Sequence, residues 1–390
     1  MLVTIVGGGM ITHDQLLPSI YQMQRQGAIG DITVCASRRR TVESLADDEQ
    51  IRAAFPGQSF HALPDSGDPD ASRPELYLEA IRHLPRRQIV VVAVPDELHF
   101  DVIMAALRHD HHVCAVKPLV LEYKQSLQIE KEAKSRNLVV GVEYHKRFDD
   151  RSLMARQKYR AGFFGEFRLG TAHLMEKWYY RHSNFQNWCT DVFTYIGCHY
   201  VDLVHFITGL LPVRVSVYGI PDRYPNGKEG YLWTDARIIW NNGACLNVQN
   251  SLGVPDVAPG TNTQGLTMYC QTPTGGALLS HSDQYRGLKH SSSALYTEPS
   301  PDYFQYVDLG GPGLTPVGYG YRSVEYILKQ CIRVEQAPPE SRAALLRELD
   351  DAGIMATPAN SSYNELVIEA GRISIENSGG EVSLSSIQPS

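Results

Sequence analysis

The stretch VTIVGGGMIT, residues 3–12, runs four β-branched residues into three glycines and then into an amphipathic segment. That order reads as a first strand, a glycine turn and the opening of a helix. Backbone amides and the helix N-terminus at such a turn can receive a pyrophosphate. Gly7 and Gly9 are the glycines of the turn, and Met10 and Ile11, which open the helix, are read as cofactor contacts with them. The third small position of the G-x-G-x-x-G/A pattern is Thr12, which adds bulk where the helix approaches the sheet. The competing reading is a tight strand-to-helix turn with no ligand.

Outward from this turn, short β-branched runs alternate with longer segments that are apolar every three or four residues, the pattern of a parallel sheet with crossover helices. LVTIV, DITVCA, QIVVVAV, HVCAV and LVVGVEY are the strand candidates, and residues 62–75, rich in Pro, Asp and Ser, read as a surface loop. The texture changes after about residue 150. FRLGTAHLM, VRVSVYGI, ARIIWNNGACLNVQNSL and LTMYCQTPTGGALLSH read as alternating strands, with turn signals at Asn242-Gly243 and Gly275-Gly276. Residues 286–320 read as a lid or subunit arm, followed by two helices at about 321–335 and 360–377. The expectation is an α/β chain with a doubly wound parallel-sheet domain at 1–148 and, at 149–390, a substrate-binding and oligomerisation domain with a mostly antiparallel sheet.

The 390 residues exceed one ordinary core, in keeping with two domains. A formal charge of −7, from 43 acidic against 36 basic residues, argues against nucleic acid or an anionic membrane surface as partner and favours a small neutral ligand. Seven scattered cysteines without a CxxC pair suit reduced thiols. Without a signal-peptide pattern or an apolar run long enough to span a bilayer, the expected location is cytoplasmic.

At the end of the second strand, Cys35-Ala36-Ser37-Arg38-Arg39-Arg40 offers no carboxylate for a ribose 2′-hydroxyl. Ser37 and Arg38 could instead bond a 2′-phosphate, which favours NADP over NAD; an exposed basic turn is the alternative. VVVAVPDELHF closes another strand, placing Val94, Pro95 and His99 at the carboxyl edge where such sheets bind ligands. HHVCAVKPL does the same for Lys117. RHDHH, His109 to His112, is read as a solvated turn rather than a metal cluster.

Taken together, VGGGMI, AVPDELH, AVKPL, GVEYHKRF and GCHYVD, in this order and spacing, resemble the Gfo/Idh/MocA oxidoreductases, and the resemblance extends over nearly the whole chain. It implies an N-terminal Rossmann domain, a C-terminal α/β domain with an open, largely antiparallel sheet, hydride transfer between a sugar or polyol hydroxyl and NAD(P), and a homo-oligomer, dimer or tetramer, formed through the open sheet face. The family's lysine maps to Lys117 and its histidine to His199. Two positions depart from the pattern. Val116 replaces the glutamate before the lysine, and Tyr195 replaces the aspartate four residues before the histidine, so the usual proton path does not carry over unchanged.

In TYIGCHYVDLVHF, residues 194–206, a helical 100° per residue puts Tyr195, His199 and Asp202 on one face and His205 about 120° from His199. The two histidines share no ligand face, and no metal is assigned. Gly197 would let a substrate or nicotinamide approach the backbone. His199 is the expected base, since an unperturbed imidazole titrates near roughly 6.5; Lys117 would bond the same oxygen, and Tyr195 would relay the proton. Tyr144, His145 and Arg147 from EYHKRF, Trp188 from YRHSNFQNW, Asp202 and His281 are the expected substrate-side groups, with Asp283 and Arg286 as weaker candidates. The expected function is an NAD(P)-dependent sugar, glycoside or polyol dehydrogenase. The rivals are a glycoside hydrolase using transient oxidation and elimination, and a non-catalytic cofactor-sensing regulator.

Overall fold

The β-branched runs of the first third become strands of one six-stranded sheet in a computed structural model that describes residues 1–388 except 283–287, 289, 292–295, 299 and 301. The strands are β1 (Val3–Val6), β2 (Ile32–Cys35), β3 (His61–Leu63), β4 (Ile89–Val92), β5 (His112–Val116) and β6 (Val140–Glu143). All pairs are parallel, in the order β3-β2-β1-β4-β5-β6 of a doubly wound dinucleotide-binding sheet. Every residue of β1, β4, β5 and β6 is buried, as expected where helices cover both faces of a parallel sheet.

The covering helices are α1 (Leu17–Arg25), α2 (Arg39–Ala46), α3 (Glu49–Ala54), α4 (Leu76–His83), α5 (His99–Arg108) and α6 (Tyr123–Arg136). Between Arg39 and Ala54 the chain forms two helices instead of one, because the Asp48 carboxylate accepts the Ile51 amide at 2.8 Å and starts α3 anew. Strand β3 overlaps the first two residues of the segment read as loop; three residues on a sheet edge carry too little periodicity to stand out. The RHDHH turn is not solvated throughout: His111 and His112 are fully buried. His111 Nε2 faces the Ile81 carbonyl, while His112 Nδ1 accepts the Val139 amide at 3.0 Å and its Nε2 faces Glu335 at 3.2 Å.

The second sheet has seven strands in the order β12-β11-β7-β10-β9-β8-β17. After α7 (Asp150–Arg160) come β7 (Glu166–Lys177), α8 (Cys198–Thr208), β8 (Pro212–Arg223), β9 (Glu229–Trp240), β10 (Cys245–Val254), β11 (Asn262–Thr272) and β12 (Gly275–His281). Only β7 and β10 pair in parallel; the other pairings are antiparallel. Gly243, at φ +81°, makes the β9–β10 turn expected from Asn242-Gly243. The next hairpin turns at Pro273-Thr274 instead of Gly275-Gly276, which already pair with Thr272 and Gln271 in the ladder. Two short pairs follow, β13 (His290–Ser291) with β14 (Tyr296–Thr297), and β15 (Gln305–Val307) with β16 (Thr315–Val317). The chain ends with α9 (Tyr319–Gln336), α10 (Pro339–Ala352), α11 (Pro358–Ser361), α12 (Tyr363–Glu376) and β17 (Val382–Ser383). Helix α10 was absent from the sequence reading, although Pro339 in its first turn and Gly353 just beyond its end, at φ +58°, are ordinary helix punctuation.

By contacts the chain divides into two units, Met1–Val120 with Gln125–His145 and Tyr303–Asn360, and Leu121–Lys124 with Lys146–Asp302 and Ser361–Ser390. A single cut at 148/149 therefore separates Tyr303–Asn360 from the unit in which it packs. The reason is local: Val324, Ile327, Leu328 and Cys331 of α9 join the apolar core of the first sheet, and the Arg25 guanidinium donates to the carbonyls of Pro312 and Leu314. Residues 303–320, within the tract read as a lid or arm, are thus a hairpin and helix start fixed on the first unit.

Candidate functional site

In the first unit the three glycines differ in what they must accommodate. Gly7 sits at φ +110°, and a Cβ there would lie 2.0 Å from the Ala93 carbonyl oxygen. A Cβ on Gly8 would lie 3.0 Å from the Thr41 side chain of α2, whereas one on Gly9 would meet nothing within 4 Å. The turn is therefore packed against β4 on one side and open at Gly9, the shape a dinucleotide pyrophosphate requires. Thr12, expected to crowd this junction, fits because its side chain is buried and its hydroxyl donates to the Gly7 carbonyl at 2.7 Å. The helix that follows is wider than α at Thr12–Leu16, where the Leu17 amide donates five residues back to Thr12. Pro18, with no N–H to give, follows directly.

An open cleft beside the turn is lined by Gly8, Gly9, Met10, His13, Thr41, Ser44, Leu45 and Asp48. Asp48 is the one carboxylate lining it, but its oxygens already take the Ile51 amide and face His13 Nε2 at 3.1 Å. His13 is raised above its ordinary value, Asp14 and Asp48 outweighing the lowering effect of partial burial. Ser37 and Arg38 are exposed at the carboxyl end of β2. Arg39 and Arg40 pair with Glu43 and Asp70, while Arg38 has no carboxylate within 4 Å among the described residues.

Val94 and Pro95 follow β4, with the Val94 amide 3.2 Å from the Cβ position of Gly7. Lys117 follows β5 and is half-buried, joined to Pro118 by a cis peptide. His99 does not offer its ring to a ligand. It is fully buried, with Nε2 3.0 Å from the Val94 carbonyl and Nδ1 2.8 and 3.1 Å from those of Pro118 and Leu119. It clamps the end of β4 to the turn that carries Lys117, a positioning role in place of the expected cofactor contact. Tyr144 is likewise buried, at 1% exposure, and not displayed for substrate. Neighbouring His145 stacks on Tyr319 at 5.7 Å and has Nδ1 3.1 Å from Glu143, whose other oxygen accepts from Gln15.

In the second unit, His199 stands in the first turn of α8 and is 4% exposed. Residues Phe193–Gly197 before it form a wider π-type turn, so the uniform 100° step does not hold through Tyr195. Asp191 starts this turn: its carboxylate accepts the Thr194 amide at 2.6 Å and the Thr194 hydroxyl at 2.9 Å, and burial raises its pKa. The D-x-x-T spacing was the available sequence signal. Gly197 does not leave room for a ligand. A Cβ there would lie 2.6 Å from the Phe193 ring and 2.8 Å from Asn250 Oδ1, so its smallness serves packing. Tyr195 and Trp188 are half-buried and meet edge to face at 5.9 Å. Both surround buried Phe185, at 4.4 and 4.8 Å, and Tyr180 lies 5.4 Å from the same ring.

Three expected substrate groups are engaged with other protein groups. Arg147 and Asp202, each 1% exposed, form a two-pronged ion pair at 2.8 and 2.6 Å. The Tyr363 hydroxyl and Asn364 Nδ2 each donate to Asp202 at 2.9 Å. His281 Nε2, at the end of β12, lies 2.9 Å from Asp149 and 3.3 Å from the Ser152 hydroxyl at the start of α7, and all three are buried. Asp283 and Arg286 lie outside the described residues. Lys146 is a buried cation that the sequence reading passed over inside EYHKRF. Its ammonium donates to Gln264 and lies 5.3 Å from the Tyr200 ring centroid, beside His199 in sequence. The Gly turn, β-strand ends and Lys117 belong to the first unit; Tyr195, His199 and Trp188 belong to the second.

Residues 1–144 match the family model described as an oxidoreductase family with an NAD-binding Rossmann fold, Gfo/Idh/MocA. An uncharacterized oxidoreductase of Schizosaccharomyces pombe is 29% identical over 163 residues, 41% of this chain and 40% of the relative. The uncharacterized oxidoreductase YdgJ of Escherichia coli is 25% identical over 135 residues, 34% of each chain. These matches span well under half of either curated relative. Among solved structures, GenD2 from gentamicin A biosynthesis in complex with NAD superposes with a TM-score of 0.68 at 15% identity, covering 98% of this chain and 96% of that one. The scyllo-inositol dehydrogenase of Lactobacillus casei with NAD(H) and scyllo-inositol does so at 0.64 and 12% identity, covering 99% of both. These likenesses establish the fold.

Proposed function

We propose, from a first unit that carries a Gfo/Idh/MocA dinucleotide-binding domain, that the protein is an NAD(P)-dependent oxidoreductase acting on a hydroxyl of a sugar, glycoside or polyol. The observation that carries the reading is the glycine turn, closed against β4 at Gly7 and open at Gly9. Gly9, Met10 and Ile11 would hold the pyrophosphate, and the bound nicotinamide would supply hydride acceptance and donation. Ser37 and Arg38, which has no carboxylate partner among the described residues, favour NADP, since Asp48 is already engaged by Ile51 and His13. Lys117, held by the His99 clamp, stabilises the developing alkoxide, and His199 takes the hydroxyl proton, with Tyr195 as relay.

Two supporting readings concern the setting. The seven cysteines are free thiols, in keeping with a reducing compartment such as the cytoplasm. No helix among the described residues is long and apolar enough to cross a membrane. Homo-oligomer formation, as dimer or tetramer, is supported by an apolar row across the second sheet, in which Leu278, Tyr269, Leu169, Cys245 and Ile239 are successive cross-strand neighbours. Leu278, Tyr269 and Leu169 are 57%, 52% and 48% exposed.

The test is to identify dinucleotide released from the purified protein, then to screen sugars, polyols and aryl glycosides for reduced cofactor and for aglycone release. Net reduction of NADP with a sugar or polyol is the expected result. Aglycone release without net reduction would replace it with the redox-assisted glycosidase that Tyr195 leaves open, and cofactor binding without turnover on any substrate would favour a regulator.

A further inference from the structure

The segment that follows β7 is anchored by two buried cations, Lys177 and Arg181. Lys177 Nζ donates to the carbonyls of Pro255 and Asp256 at 3.2 Å and to that of Ala258. Arg181 is 2% exposed, with Nε donating to the Leu252 carbonyl at 2.7 Å and Nη1 to Asp222 at 2.6 Å. Its guanidinium lies 3.8 Å from the Trp178 ring centroid and 5.3 Å from that of Trp233. At the far end, Lys228 Nζ donates to the Asn187 carbonyl at 2.8 Å and Asn226 Nδ2 to that of Gln186 at 3.1 Å.

With the backbone held this way, Tyr180, Trp188 and Tyr195 keep part of their surface in solvent around the buried Phe185 ring. Aromatic surface that is already ordered takes up a ligand ring without a further ordering cost. Tyr195 lies four residues before His199, in the π-type turn that leads into α8. Buried Phe185 lies 4.4 Å from the Tyr195 ring, 4.8 Å from Trp188 and 5.4 Å from Tyr180, so the three half-buried rings around it span more than one ring's width. Polar groups at the margin of these rings include the Tyr179, Tyr180 and Tyr195 phenols and the half-buried Glu176 carboxylate. Burial raises the Tyr180 phenol, and the charge of Glu176 adds to the effect. A carboxylate beside aromatic faces suits a neutral ring bearing hydroxyls and disfavours an anionic one.

We infer that Tyr180, Trp188 and Tyr195, set around the buried Phe185 ring, form a binding site for a second, uncharged ring of the substrate. The substrate is then a glycoside, with its reacting sugar served by His199 and its aglycone or neighbouring sugar resting on these rings. This rests on the reaction proposed above. The experiment compares kcat/KM for the phenyl glycoside, the disaccharide and the methyl glycoside of the same sugar, in the gluco, galacto and manno series. At least one two-ring substrate should exceed its methyl glycoside about tenfold, the aryl and disaccharide arms showing which ring is natural. Trp188→Ala should bring that ratio close to one, and Trp188→Phe should retain most of it. Equal kcat/KM for two-ring and methyl substrates in the native protein, or a ratio unmoved by Trp188→Ala, overturns the inference. If no substrate turns over, the proposed reaction fails but the aromatic site is still tested by calorimetry with phenyl glycosides. Binding lost in Trp188→Ala upholds the site, and no binding by the native protein refutes it.

Discussion

Replacing Gly7 and Gly9 in turn by alanine should move stability and cofactor affinity in different combinations. At Gly7 the alanine would take a left-handed backbone at φ +110° and bring its Cβ to 2.0 Å from the Ala93 carbonyl oxygen. The backbone alone costs about 1–3 kcal/mol, and relief of the overlap requires the turn to leave β4. For a domain of roughly 150–250 residues each kcal/mol moves Tm by about 2–4 °C, so Gly7→Ala should melt at least several degrees lower and bind dinucleotide poorly. Gly9 has no positive φ and open space around its Cβ position. Gly9→Ala should therefore leave the unliganded protein unchanged or more stable by about 0.4–1 kcal/mol, through loss of unfolded-chain entropy. The same methyl stands where the pyrophosphate must approach, and should weaken dinucleotide binding at least tenfold. Differential scanning fluorimetry of ligand-free protein and titration with NADP and NAD read the two quantities separately. Unchanged affinity in Gly9→Ala would refute the assignment of this turn to the cofactor.

Further expectations follow from the other groups. Arg38→Ala should weaken NADP binding with little effect on NAD, and equal losses for both in a titration would remove the 2′-phosphate assignment. Asp202→Ala leaves Arg147 as an uncompensated buried charge and should cost about 3–5 kcal/mol; an unchanged melting temperature with a raised KM would instead make Asp202 a substrate ligand. Lys117→Ala and His199→Ala should each lower turnover strongly with dinucleotide binding retained, and near-normal rates in both would end the proposed roles. Acid should destabilise the fold in two successive windows. Burial, partly offset by the Ile81 carbonyl, pushes His111 down to about 4, so its contribution is complete above roughly pH 6.5 and is lost as pH falls toward 4, up to about 3 kcal/mol. Glu335 would be raised by burial, but His112, Arg87 and Arg342 hold it at about 2, so its contribution is lost between roughly pH 4.5 and 2. Urea midpoints measured from pH 7 to 3 that do not fall would contradict both.

Much of the first domain was legible because its signals are local. VTIVGGGMIT, QIVVVAV and HVCAV are apolar runs ended by glycine or proline, and a strand buried on both faces needs no partner to be recognised. Lys117 and Pro95 could be placed at strand ends for the same reason. The alternating runs of the second sheet were likewise visible, though one hairpin turn sat two residues earlier than Gly275-Gly276 suggested, because glycines can pair in a ladder as well as turn.

Composition and periodicity thus determined the parallel sheet, the glycine turn, the strand ends and the change to an antiparallel half. Only the tertiary structure decided what each polar side chain does. Arg147 and Asp202 stand 55 residues apart, and His281 and Asp149 132 apart. A sequence shows that such groups are polar, not whether a distant partner already satisfies them. His99, Gly197 and Tyr303–Asn360 changed meaning for the same reason: burial and partner choice arise from contacts remote in the chain, whereas strand and turn preferences arise from neighbours within a few residues.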